Sequence, residues 1–161
     1  ITINKWKLYN PVAVGSIPSV PVSTSNKIST ITFGINFVGG PTDGDKRVFV
    51  HFVDSSGNIK FLADVAPSTP SSKWTANSSN WITSEVDIPE NIDLGNYNIY
   101  AGLYSMDTAV KLNRGDGVTD AGQLRYSVGM INISKPVTFI DVYKKLATGN
   151  LFDALTILIN Y

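Results

Sequence analysis

The stretch Arg47-Val48-Phe49-Val50-His51-Phe52-Val53-Asp54, followed by Ser55-Ser56-Gly57-Asn58, decides the fold. Its β-branched and aromatic residues have no helical spacing, and apart from His51 the run is apolar on both faces. That pattern predicts a strand in the middle of a sheet, covered on both sides. The glycine between Ser56 and Asn58 predicts a tight hairpin with a left-handed residue at Gly57, leading into a second strand over 58–65.

Working outward, apolar alternation recurs and is broken by Gly, Pro, Asn, Asp and Ser clusters, which is the signature of short antiparallel strands. Strands are expected at 2–9, 28–38, 46–54, 58–65, 82–88, 96–105 and 123–134, about seven in all. Gly39 to Asp45 reads as a long loop. Pro67-Ser68-Thr69-Pro70-Ser71-Ser72 opens a polar crossing that runs to about Asn80 and suits a Greek-key connection between two sheets. The expected class is therefore all-β: an antiparallel two-sheet β-sandwich, Ig-like or Greek key, over 1–135, with its core on the strands around Val50 and Ile99.

After Pro136 the pattern changes. Phe139, Ile140, Tyr143 and Leu146 share one face at helical spacing, and Gly149-Asn150 gives a stop. The following run, Leu151 to Ile159, is too apolar for a free tail and must be covered. Two readings of this 136–161 helical segment are carried: packing on its own sandwich, or docking through 137–161 on a neighbouring copy or an adjacent domain. The run is far short of the roughly 20 residues that cross a bilayer, so no membrane span is expected.

Composition removes several function classes. Thirteen basic residues balance thirteen acidic ones, so no overall field gathers nucleic acid, and with no cysteine there is no thiol nucleophile, disulfide or Cys-based zinc site. His51 is the single histidine and has no carboxylate on its own face of the strand, since Asp54, three residues on, points the opposite way. It reads as a core or sheet-surface residue. No G-x-S-x-G, H-E-x-x-H or phosphate-loop motif is present. All acids except Glu85 and Glu90 are Asp, most of them in turns, where Asp is expected for its local hydrogen bonding. The domain is expected not to be an enzyme and to need no cofactor. The one cation its loops suit is calcium, through Asp43 and Asp45 in one turn and Asn113, Asp116 and Asp120 in another, because Ca²⁺ takes carboxylate and carbonyl oxygens. Arg114-Gly115-Asp116 is an RGD tripeptide, expected on a hairpin tip and read as ordinary turn chemistry.

The binding case rests on aromatic residues, which make up 11% of the chain. Trp74 and Trp81 lie in a Ser/Asn-rich crossing with Asn77 and Asn80. An exposed ring stacks on the apolar face of a pyranose while neighbouring amides bond its hydroxyls. The four residues form a candidate sugar platform, although for Trp74 the preferred reading is that it tucks beneath the loop and closes the end of the sandwich.

Residues 46–134 also carry a family resemblance. Val48-Phe49-Val50-His51-Phe52-Val53-Asp54, Gly57, Asp64, Pro67, Trp74, Ile88-Pro89, Gly95-Asn96-Tyr97 and Gly102-Leu103-Tyr104 occur in order, and Tyr126-Ser127-Val128-Gly129 resembles a closing strand. The pattern resembles a β-sandwich module appended to bacterial glycoside hydrolases and membrane glycosyltransferases. It implies an Ig-like, non-catalytic accessory domain of an extracellular or cell-surface carbohydrate-active protein, with polysaccharide as partner. The segment after Pro136 departs from the pattern and supports the alternative of a structural subunit of an extracellular filament, surface layer or virion.

Overall fold

A computed structural model describes residues 1–9, 17–21, 29–134 and 147. Among these the protein is all-β, a β-sandwich-like pair of sheets. The smaller sheet is built on β4 (Ser29–Val38), with β7 (Ser79–Ile88) along one side and the short β1 (Thr2–Ile3) and β2 (Lys7–Leu8) along the other; β10 (Asn113–Arg114) extends it beyond β1. The larger sheet runs β11 (Thr119–Gly122), β12 (Arg125–Ser134), β8 (Gly95–Ser105), β5 (Arg47–Val53), β6 (Ile59–Val65); β3 (Ser19–Pro21) joins β12, and β9 (Thr108–Ala109) joins β8. The helical segment expected after Pro136 lies outside the described residues.

Period-two alternation explains the layering. Val48, Val50 and Phe52 of β5, with Tyr97, Ile99, Ala101 and Leu103 of β8, point inward and are buried. They meet Ile31, Phe33, Ile35 and Phe37 of β4 from the other sheet in one apolar cluster. Phe33 and Phe52 meet edge to face across the sheets, with ring centroids 6.2 Å apart. As the sequence predicts, β5 lies inside its sheet, between β6 and β8. Its outer face is partly covered by rings of its own layer, since Phe49 packs at 4.9 Å from His51 and 6.1 Å from Tyr104.

The β5–β6 hairpin has the chemistry its sequence predicts. Gly57 is left-handed at φ 86°, and one Asp54 carboxylate oxygen accepts the amides of Ser56 and Asn58, both at 2.9 Å. The polar crossing from β6 to β7 does connect the two sheets, and it contains a single 3₁₀ turn, Ser71–Lys73.

One expected strand is divided. Residues 2–9 form β1 and β2 instead of a continuous strand, because the chain leaves the small sheet after Asn4, whose amide still bonds the Asn36 carbonyl of β4 at 3.0 Å. The Trp6 amide donates to Val128 of β12 in the opposite sheet at 3.1 Å, while Asn4 Nδ2 bonds Asn36 Oδ1 at 2.7 Å. Trp6 thus enters between the layers, 6.4 Å from Phe33 and 6.4 Å from Phe52.

Two substitutions separate packing from backbone conformation. Phe52→Ala is expected to lower unfolding free energy by about 4 kcal/mol, the scale of a buried ring lost from a close-packed core. Gly57→Ala, where an added Cβ meets nothing, is expected to lose only about 1 kcal/mol, for the left-handed backbone alone. Urea unfolding of both variants checks the ratio.

Candidate functional site

The two tryptophans of the crossing have different fates. Trp74 is only 3% exposed, stacks on Phe37 at 5.8 Å and donates its indole N–H to the Thr69 carbonyl at 2.9 Å. It closes the end of the core and offers no face to a ligand. Asn80 is likewise committed: its amide nitrogen bonds the Phe37 carbonyl at 3.2 Å and Ser78 Oγ at 2.9 Å. Asn77 is exposed, at φ 65° in the turn that the Ser78 amide closes onto Thr75. The four expected residues therefore do not form one platform.

Trp81 stands apart from them. On β7, Ile82, Val86 and Ile88 point into the core, so alternation turns Trp81, Thr83 and Glu85 outward. Trp81 is 47% exposed, and its companion is Tyr9, 45% exposed, which directly follows β2. The Tyr9 amide bonds the Thr32 carbonyl of β4 at 2.8 Å, fixing where the ring emerges.

Both rings close over Gly34 of β4. A Cβ at Gly34 would lie 2.9 Å from the Tyr9 hydroxyl and 3.2 Å from Trp81 Cε3. A glycine in a strand interior is costly and marks a close approach; here it gives two aromatic side chains their resting place. The Lys7 ammonium sits 5.2 Å from the Tyr9 ring centre. Opposite Trp81 in the β4–β7 register, Asn36 is almost fully buried and bonds Ser79 Oγ at 2.9 Å as well as Asn4, so the sheet beside the rings is polar and held in place. Tyr9 is the residue missed in the sequence, which places it 72 positions from Trp81; the isolated glycine inside 28–38 is the available signal.

The outer face of the larger sheet carries the single histidine. His51 lies opposite Leu62 on β6 and Tyr100 on β8, and its buried Nδ1 has no hydrogen-bond partner among the described residues. Nearby, Arg47 bonds Asp64 at 2.5 Å, and the Tyr104 hydroxyl donates to the other oxygen of that carboxylate. Burial works against the charged Asp64, but Tyr104 and Arg47 together hold its carboxyl below the usual range. These contacts tie β5, β6 and β8 together.

The loop acids do not gather. Asp45 accepts the Ser72 amide at 3.3 Å and its hydroxyl, and Asp120 accepts the Gly122 amide at 2.8 Å. Among the described residues no three acidic or histidine side chains converge on a point where a metal would sit. Asn113 and Asp120, two of the residues expected to bind calcium, instead line a cleft of about 600 Å³ with Lys111 and Arg114, whose charges oppose a cation. Asp43 and Asp116 remain on the surface, both exposed. The Arg114-Gly115-Asp116 tripeptide is not a free hairpin tip, because Arg114 lies opposite Ile3 of β1 and the Gly115 amide bonds the Ile3 carbonyl at 2.8 Å.

Compared with known proteins, the chain matches no family model, no curated protein and no solved structure.

His51 has a predictable effect on pH dependence. Burial, and after it the nearby Arg125 guanidinium, push its imidazole below the ordinary value of 6.5. The unfolded chain therefore takes up this proton first as pH falls, and stability drops below about pH 6.5. His51→Gln is expected to flatten that part of the profile and to leave the lower-pH limb, governed by carboxylates such as Asp64, in place. Urea midpoints measured from pH 8 to pH 3 check it.

Proposed function

We propose that this domain is a non-catalytic carbohydrate-binding or accessory module of an exported or cell-surface carbohydrate-active protein. Polysaccharide would be gripped on the outer face of the small sheet. The carrying observation is the Tyr9–Trp81 pair: two rings, each nearly half exposed, brought together over Gly34 beside the hydrogen-bonded Asn36. Tyr and Trp present large amphipathic area with only two side-chain torsions to freeze, and a sugar ring needs an apolar surface flanked by polar groups. Thr83, Glu85 and Lys7 supply polar groups around it. The Ig-like, Greek-key reading of the sandwich and the accessory-module resemblance of residues 46–134 support the same assignment.

A second reading, a structural subunit of a filament, surface layer or virion, has one observation in its favour. Among the described residues, strand β6 forms an edge of the large sheet and exposes Ile59 at 45% and Leu62 at 53%. An exposed apolar edge is a template for pairing with a neighbouring copy.

Electrophoresis through gels containing soluble polysaccharides, alongside sedimentation equilibrium, decides between them. The binding reading expects a monomer that is retarded by at least one polysaccharide. It also expects Trp81→Ala and Tyr9→Ala each to weaken that retardation by about tenfold, or about 1.4 kcal/mol, with folding intact. A self-associating chain that no polysaccharide retards sinks it.

A further inference from the structure

The cleft beside β10 has the build of a second ligand site. Its floor is Tyr126, which is buried and whose hydroxyl accepts the Leu112 amide at 2.8 Å. One wall is the segment carrying Lys111, Asn113 and Arg114. It is pinned to the N-terminal strand by the Asn113 amide on the Ile1 carbonyl at 2.9 Å and by the parallel pairing of Asn113 and Arg114 with Thr2 and Ile3. The opposite wall is the β11–β12 hairpin, where Gly122 pairs with Arg125 and only Gln123 and Leu124 intervene.

Both loop residues are left-handed, Gln123 at φ 55° and Leu124 at φ 58°. Two-residue hairpins favour Asn-Gly or Asp-Gly at such positions, and a leucine there is strained. Arg125 braces the strained loop, donating to the Gly122 carbonyl at 3.3 Å and the Ala121 carbonyl at 3.4 Å while its guanidinium lies 5.2 Å from the Tyr100 ring centre. The braced conformation leaves Leu124 38% exposed in the cleft lining. Retained strain that aims side chains into a cleft is a mark of a working site.

The charges choose the ligand. Lys111 and Arg114 line the cleft and make no ion pair among the described residues, where the paired cations are Arg47 and Lys60. Asp120 is the one acid in the lining, and one of its oxygens already accepts the Gly122 amide. The cleft therefore carries a net positive charge on a chain whose overall charge is zero. A guanidinium fork suits a carboxylate; Asn113, Gln123 and Asp120 suit hydroxyls; Leu124 suits a sugar's C–H surface. A cleft of about 600 Å³ falls within the range of small-ligand sites.

We propose that this cleft is a subsite for a uronate residue of an acidic polysaccharide. The proposal rests on the carbohydrate-binding reading and adds a substrate class to it.

The test uses the full chain in titration calorimetry against tetrasaccharides of galacturonate, mannuronate and glucuronate, each beside its methyl ester, which keeps the ring and removes the charge. At least one oligouronate is expected to bind tenfold or more tightly than its ester. Arg114→Gln and Lys111→Gln, both at exposed positions, are expected to abolish that preference and leave retardation by neutral polysaccharide unchanged. Leu124→Gly relieves the strain, so it is expected to raise the unfolding midpoint while weakening oligouronate binding. Equal affinity for acid and ester, or a preference that survives Arg114→Gln, overturns the cleft and leaves the Tyr9–Trp81 face standing. If neither charged nor neutral saccharides bind, both readings fall.

Discussion

Most of what positions the two candidate surfaces depends on the insertion of Trp6 between the sheets. Its ring touches Phe33 of one layer and Phe52 of the other, and its amide bonds β12. Gly129 makes room for it, since a Cβ there would lie 2.3 Å from the indole. With Trp6 anchored, the residues on either side have little freedom. Upstream, β1 pairs with β4 and carries β10, and hence Arg114, on its other edge. Downstream, β2 pairs with Lys7 opposite Gly34, which delivers Tyr9 beside Trp81. One partly buried indole thus sets a wall of the cleft and half of the aromatic face.

The features legible in the sequence are those that local chemistry dictates. The β5–β6 hairpin follows from Gly57 and Asp54, and the depth of β5 from Val48, Val50 and Phe52. Trp81, read from the sequence as part of the polar crossing, faces out because β7 begins at Ser79, three residues before its expected start, and Ile82, Val86 and Ile88 point inward. Trp74 has no such alternation around it, and its burial comes from a stack on Phe37 in a strand 37 positions earlier. Pairings of two residues, such as β1 with β10, carry no periodicity at all and are decided by tertiary contact. The β11–β12 loop was illegible for the opposite reason. Gln123-Leu124 has the wrong composition for a left-handed pair, so sequence rules point away from the conformation the fold imposes.

The polar groups of the large sheet have a structural part to play. The single histidine sits in a sheet face against Phe49, with its charge disfavoured by burial and by Arg125. The Asp64 carboxylate is spent on Arg47 and Tyr104, in contacts that bind three adjacent strands. These polar contacts hold the large sheet, whereas the Tyr9–Trp81 pair and the cleft cations Lys111 and Arg114 make no ion pair among the described residues.

The two surfaces differ in how they would hold a chain of sugars. Tyr9 and Trp81 are stiff, packed over Gly34 beside the Asn36 network, so little side-chain entropy is lost on contact, and stacking discriminates weakly between pyranoses. Lys111 is long and solvated and loses more freedom when it engages, but a charge in a partly enclosed cleft separates an acid from its neutral analogue far better than a ring face does. Affinity is therefore expected to come mainly from the aromatic face and selectivity from the cleft. Because both are mounted on residues 2–9, flanking one partly buried tryptophan packed against the core, their relative geometry is fixed by that packing and does not depend on a flexible linker.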